Sequence, residues 1–230
     1  MFLKSSIKSY MYFCTKLQVS MTTIDSLQWR YAVKKFDETK FLSKDKINTL
    51  KESFNLTATS YGLQPVKLVV LKNKEIQEKL VEHSWGQKQV VQASHVLVLC
   101  IPTIHKEEYI TNYFELIKKV RNTSDEILNP FKDVLTNSLG SKSQEELFQW
   151  NKDQAYIALG NLLTVCAIEK IDSCPMEGFI PEKYDTILNL KEQNLSSVLV
   201  LPVGYRADDD YMKDLKKVRK NIKESVIEIN

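Results

Sequence analysis

Five residues in three separated segments carry the chemistry that this sequence offers. Arg30 and Lys34 stand four apart, Lys217 and Arg219 two apart near the other end, and Pro175-Met176-Glu177-Gly178 forms a turn where glycine would leave its backbone N–H open. Guanidinium and ammonium groups gathered this way suit a phosphate, because they give charge-assisted hydrogen bonds that neutral donors cannot match. Taken singly, each feature is also ordinary: a Lys-x-Arg pair in LKKVRKNIKE reads equally as a solvated face.

What is missing sharpens the question. Of six glycines, at 62, 86, 140, 160, 178 and 204, no two make GxG, so neither a dinucleotide fingerprint nor a phosphate-cradling glycine loop can be drawn. There is no GxSxG elbow. Cys14, Cys100, Cys166 and Cys174 have no CxxC spacing, and His83, His95 and His105 are isolated, so no zinc template can be drawn. A nucleotide, if bound, must have its phosphate held by side chains.

Charge excludes one class of partner. The formal net charge is +3, but Lys4, Lys8 and Lys16 lie in the first twenty residues, which contain no acid; from Met21 onward basic and acidic residues balance. No broad positive field remains to attract nucleic acid. Residues 1–20 have a weak transit-peptide composition and read as an upstream extension without a fold of its own, with 21–230 as a single domain. No transmembrane stretch is visible, and the unpaired cysteines fit a reducing, cytoplasmic setting.

The elements that must position the five residues follow from periodicity. A short helix ends near Trp29; Ser43 caps a helix over Ile47, Leu50 and Phe54 that stops near Asn55; TATSYGLQP is a loop. Strands are expected at Val66–Leu71, Val96–Ile101, Ser197–Val203 and Ser225–Ile229, and helices at Lys74–Glu82 and across Lys106–Asn137. Ser143 with Glu146 makes a capping box for a long helix, apolar nearly all round from Leu159 to Ala167, which demands a central place or a subunit interface. Irregular mixing of strands and helices makes the class α+β.

The order of the motifs is more specific than any one of them. Arg30-x-x-x-Lys34-x-Phe36-Asp37, a small-residue loop ending Gln64-Pro65, Ala93-Ser94-His95 before an apolar strand, Pro175-x-Glu177-Gly178, Pro202-Val203-Gly204 and Lys217-x-Arg219 together resemble the nitroreductase family from about Met21 to the C-terminus. The resemblance implies a central mixed or antiparallel sheet flanked by helices, an intertwined homodimer, and flavin mononucleotide (FMN) reduced by NADH or NADPH. It implies a ping-pong hydride transfer through flavin N5 to a nitroaromatic, quinone or related acceptor. In that reading Arg30, Lys217 and Arg219 clamp the phosphate, Tyr31 and Ala32 lie beside the ribityl chain, and Lys34 is near the N1 and C2 carbonyl edge. The backbone N–H groups of Glu177 and Gly178 face N5 and O4, Pro175 and Met176 cover one ring face, and Thr59, Ser60 and Gly62 reach the flavin of the other subunit. Tyr61, His83, Tyr113 and Phe114 are candidates for the acceptor pocket.

Two departures from the family pattern stand out: Gly86 and Gln89 occupy ring-edge positions where one branch has Asn and Lys, and Gly62 replaces another Asn. The Gln89 amide still offers a hydrogen bond. The same scaffold also suits a flavin or enone reductase, a reductive dehalogenase or a non-catalytic FMN-binding protein.

Overall fold

The computed structural model describes residues 22–103 and 107–230. The leader at 1–20, His105 and Lys106 lie outside them. The sheet has four antiparallel strands in the order β1-β2-β4-β3, with β1 at Lys67–Leu71, β2 at His95–Pro102, β3 at Asp172–Ser173 and β4 at Leu195–Gly204. Alternate side chains of a strand point to opposite faces. Leu97, Leu99 and Ile101 of β2 accordingly enter one core and Val96, Val98 and Cys100 the other. Both faces are covered, and this is why β2 and β4 are apolar runs without polar alternation. The register slips between Leu99 and Cys100, which face Leu199 and Ser197; Val198 is the extra residue of a β-bulge and joins Leu199 in the first core.

Nine α-helices appear among the described residues: α1 Thr23–Trp29, α2 Lys44–Asn55, α3 Lys74–Glu82, α4 Gln89–Gln92, α5 Glu107–Arg121, α6 Asp125–Gly140, α7 Gln144–Ile168, α8 Pro181–Ile187 and α9 Ile222–Ser225. Ser43 caps α2 and the Ser143–Glu146 box caps α7, as their sequences require. The helical stretch expected over Lys106–Asn137 is two helices: Asn122 takes a left-handed φ of 53° and Ser124 starts α6. These two make a separate core of Phe114, Ile117, Leu128 and Leu135.

One expectation changes and another narrows. Ser225–Ile229 is no strand: Asn221 caps α9, and beyond Ser225 the chain has no regular structure. Its Val-Ile-Glu-Ile pattern favours β, yet no strand of the sheet runs beside it to complete a ladder. Of a central place or a subunit interface, the long helix α7 does not take the central one: within the chain it is covered on one side only. It buries Ala155, Ala158, Leu162 and Cys166 at helical spacing under the sheet and Leu147 in the core of α5 and α6, while Ile157, Gly160, Thr164 and Ile168 form an outward stripe.

Candidate functional site

Helix α1, closed at its start by a Thr22–Asp25 capping box, ends at Arg30, whose backbone turns extended. The chain then lies along the sheet edge beside β3: Ala32 pairs in parallel with Ser173, and the Val33 N–H donates to the Ser173 carbonyl at 3.2 Å. Val33 and Phe36 fill the core, leaving Arg30 and Lys34 half-buried at the surface.

Two buried carboxylates fix this segment. Asp210 accepts the backbone N–H groups of Lys34 (2.9 Å) and Lys35 (3.3 Å), the Tyr31 hydroxyl (3.2 Å) and the Met212 N–H (3.0 Å). Asp172 accepts Arg206 Nε at 2.7 Å, and the Arg206 guanidinium lies over both Tyr31 and Trp29, 4.4 and 4.3 Å from the ring centres. Burial, more than the nearby charges, pushes the Tyr31 hydroxyl above the ordinary phenol range. None of these anchors stands out in the sequence. The Asp208-Asp209-Asp210 run was the available signal, and it reads as surface charge.

The C-terminal segment completes a cation cluster. Lys217 Nζ donates to the Arg30 carbonyl. Burial, followed by the charge of Arg219, lowers the guanidinium of Arg30 below its ordinary range. Lys217 is lowered by burial and then by Arg30 and Arg219. Among the described residues no carboxylate forms an ion pair with any of the three, and the buried Nε of Arg30 has no hydrogen-bond partner. Holding three cations together without an acid costs electrostatic free energy that an anion bound among them would offset.

The Pro175–Gly178 turn leaves the same edge. Cys174 N–H donates to the Pro202 carbonyl, and Met176 exchanges backbone hydrogen bonds with Val200 at 2.8 and 3.1 Å, so the Met176 side chain is buried and Pro175 half-buried. Glu177 then turns outward, its carbonyl accepting Phe179 N–H at 3.0 Å and its side chain exposed. At Gly178 an added Cβ would lie 2.8 Å from two ring carbons of Trp85 and 3.0 Å from Gln87 Nε2, which donates to the Gly178 carbonyl at 3.0 Å. Lys34 and Arg30 are close enough to the Cys174 thiol for their charges to work against the upward push of burial. One edge thus runs from the cation cluster to Gly178. The six residues from Ser173 to Gly178, if extended, span roughly 16 Å.

Other expected residues lie apart. Thr59, Ser60 and Gly62 form a turn held by α7 and α5: Ser60 N–H donates to Gln154 Oε1 at 2.8 Å, and Gly62, at φ 73°, leaves no room for a Cβ beneath the Tyr113 hydroxyl. A cleft of about 550 Å³ opens between this turn, α2 and α5, away from the cation cluster. Gln89 is buried at the start of α4, and Gly86 faces open space. Phe114 is core, in edge contact with Tyr113 and Phe131, whereas Tyr61 is exposed; His83 offers its carbonyl to Ile180 N–H.

Fold and edge together define a class: an α+β protein whose antiparallel sheet carries an acid-free basic cluster next to a glycine-opened turn. The chain belongs to the nitroreductase family, whose model matches residues 27–205. A provisionally named NAD(P)H nitroreductase of Staphylococcus epidermidis is 36% identical over 201 residues, covering 84% of this chain and 91% of the relative. Among solved structures, a provisionally named nitroreductase of Bacillus subtilis superposes with a TM-score of 0.78 at 21% identity, covering 90% of this chain and 98% of that one. A nitroreductase of Exiguobacterium sibiricum, also provisionally named and solved in complex with FMN, has a TM-score of 0.77 at 15% identity, covering 91% and 98%. The fold expected from the ordered motifs is thereby established. Among the described residues no helix is long and apolar enough to cross a membrane.

Proposed function

We propose that the chain is an FMN-dependent NAD(P)H oxidoreductase whose cofactor phosphate is held by Arg30, Lys217 and Arg219. The carrying observation is the acid-free cluster itself: burial and then neighbouring positive charge lower both Arg30 and Lys217, and a buried Arg30 Nε lacks a partner. A phosphate dianion removes both penalties. FMN bound there would supply two-electron chemistry, taking hydride from NADH or NADPH and, in a separate half-reaction, delivering it to a nitroaromatic, quinone or related acceptor.

The chain's own residues then divide the work. Tyr31 and Ala32 line the approach to the phosphate on a backbone that Asp210 and Ser173 hold. Lys34 places a cation where reduction adds negative charge, Gln89 offers its amide at the same ring edge, and Pro175 and Met176 form the floor. Glu177 and Gly178 present backbone N–H groups. The outward stripe of Ile157, Gly160, Thr164 and Ile168 on α7 supports a homodimer, in which Thr59, Ser60 and Gly62 serve the partner's cofactor. Buried free thiols at Cys100, Cys166 and Cys174 fit a cytoplasmic home.

The deciding experiment is an absorbance spectrum of the purified protein, followed by anaerobic addition of NADH or NADPH. A flavin band that bleaches within seconds is expected. A colourless protein that takes up no FMN from solution would refute the assignment, and a yellow protein inert to both nucleotides would leave a flavin-binding protein without the enzyme activity.

A further inference from the structure

We propose that Trp85 is the specificity-determining wall of the acceptor site, selecting flat aromatic acceptors by stacking; this rests on the FMN reading above. Trp85 has a backbone φ of 56° and Gly86 one of 73°, so two consecutive residues are left-handed. Glycine adopts that conformation freely, whereas a bulky side chain is strained in it. Such strain persists where the surroundings over-determine it, and it gathers at working sites.

The surroundings of Trp85 do over-determine it. The Ser84 hydroxyl donates to the Leu80 carbonyl at 2.7 Å and shares a 2.6 Å hydrogen bond with the Tyr184 hydroxyl, both buried. Gly86 N–H donates to the Val81 carbonyl at 3.1 Å, and Gln87 N–H to that of Ser84 at 3.0 Å. On the far side Gln87 Nε2 binds the Gly178 carbonyl, and the His83 carbonyl accepts Ile180 N–H. The loop is therefore clamped to the 178–180 segment at both ends.

This scaffold serves little core packing. Trp85 is 72% exposed, and its ring is absent from the three buried clusters. What the indole does touch is Gly178, where Cε3 and Cζ3 occupy the space beside the missing Cβ. An electron-rich plane thus stands against the backbone assigned to the hydride-bearing edge of the flavin. Electron-poor flat rings such as nitroarenes and quinones stack on indole; aliphatic or bulky acceptors gain nothing from it.

The test uses Trp85→Gly and Trp85→Phe in FMN-loaded holoenzyme, with 1,4-benzoquinone and a nitrobenzoate as flat acceptors and ferricyanide as an acceptor that needs no stacking. Trp85→Gly is expected to raise KM for the flat acceptors about tenfold, while ferricyanide turnover at saturating NADH stays within about twofold. Trp85→Phe should restore most of the loss. Because glycine relieves the left-handed strain, Trp85→Gly should also melt at the same temperature or higher. A lowered melting temperature would make Trp85 structural and overturn the proposal, as would an equal change for all acceptors or none. Loss of FMN from the wild-type protein would instead strike at the cofactor assignment.

Discussion

Replacing Arg30 with Met should weaken cofactor binding without harming the free protein, an opposition of signs that follows from the cation cluster. In the free chain the half-buried guanidinium is lowered by burial and by Arg219, its Nε is unpartnered, and Lys217 is lowered in turn by Arg30. Methionine keeps the aliphatic volume and removes all three penalties, so the melting temperature of the apoprotein should hold or rise. With FMN present the balance reverses. One charge-assisted hydrogen bond is worth roughly 1.5 to 3 kcal/mol, so the FMN dissociation constant should rise about 10- to 150-fold. At an FMN concentration a hundred times the wild-type constant, ligand stabilisation of about 2.7 kcal/mol would fall to about 1.4 kcal/mol for a tenfold weakening. Quenching of flavin fluorescence gives the constant, and thermal melts with and without FMN give the two signs. An apoprotein that melts clearly lower, or an unchanged dissociation constant, would refute the view that these cations are arranged for an anion.

Lys34→Ala should retain FMN but lower its two-electron potential; a cation about 4 Å away at an effective dielectric near 20 sets a ceiling of about 4 kcal/mol, or roughly 90 mV. Redox titration against a dye of known potential checks it, and an unmoved midpoint counts against Lys34 as the tuning charge. Asp210→Ala strands the Lys34, Lys35 and Met212 N–H groups and the Tyr31 hydroxyl, and should cost roughly 3 kcal/mol in urea unfolding along with weaker FMN binding. His95, 6% exposed, is pushed down to about 4 by burial and by Lys72, Lys74 and Lys51. Below the ordinary histidine range the unfolded chain takes up a proton that the native state refuses. Stability should therefore fall, by up to about 3 kcal/mol, as pH drops from 6.5 to 4. His95→Asn should flatten that slope in denaturation midpoints measured across the window.

Much of this frame is legible in the sequence because its signals are local. Ser43 and the Ser143–Glu146 box mark helix starts through side chains that reach only three residues, and β2 and β4 reveal themselves as apolar runs because both their faces are covered. The Arg30, Lys217 and Arg219 cluster is visible only through the order of motifs, since 187 residues separate Lys217 from the carbonyl it binds. Asp210 and the Arg206–Asp172 pair escape because a buried carboxylate that caps backbone N–H groups looks, as a letter, like any surface acid. The failed strand at 225–229 shows the converse: β propensity without a neighbouring edge produces no strand. Trp85 escapes for a third reason, since nothing in Ser-Trp-Gly announces a left-handed tryptophan.

The order β1-β2-β4-β3 also sets a timetable. β1 and β2 can pair as soon as both exist, but the other edge of β2 must wait for β4, whose first residue comes 93 positions after Pro102. At 5 to 20 residues per second, ribosomal synthesis keeps that edge unpaired for roughly 5 to 20 s. During that interval an eight-residue strand from His95 to Pro102, nearly all of it destined for burial, offers its N–H and C=O groups to any passing chain. The newborn protein is therefore most vulnerable to aggregation midway through its own translation, and slowing elongation between codons 103 and 195 should lower its soluble yield.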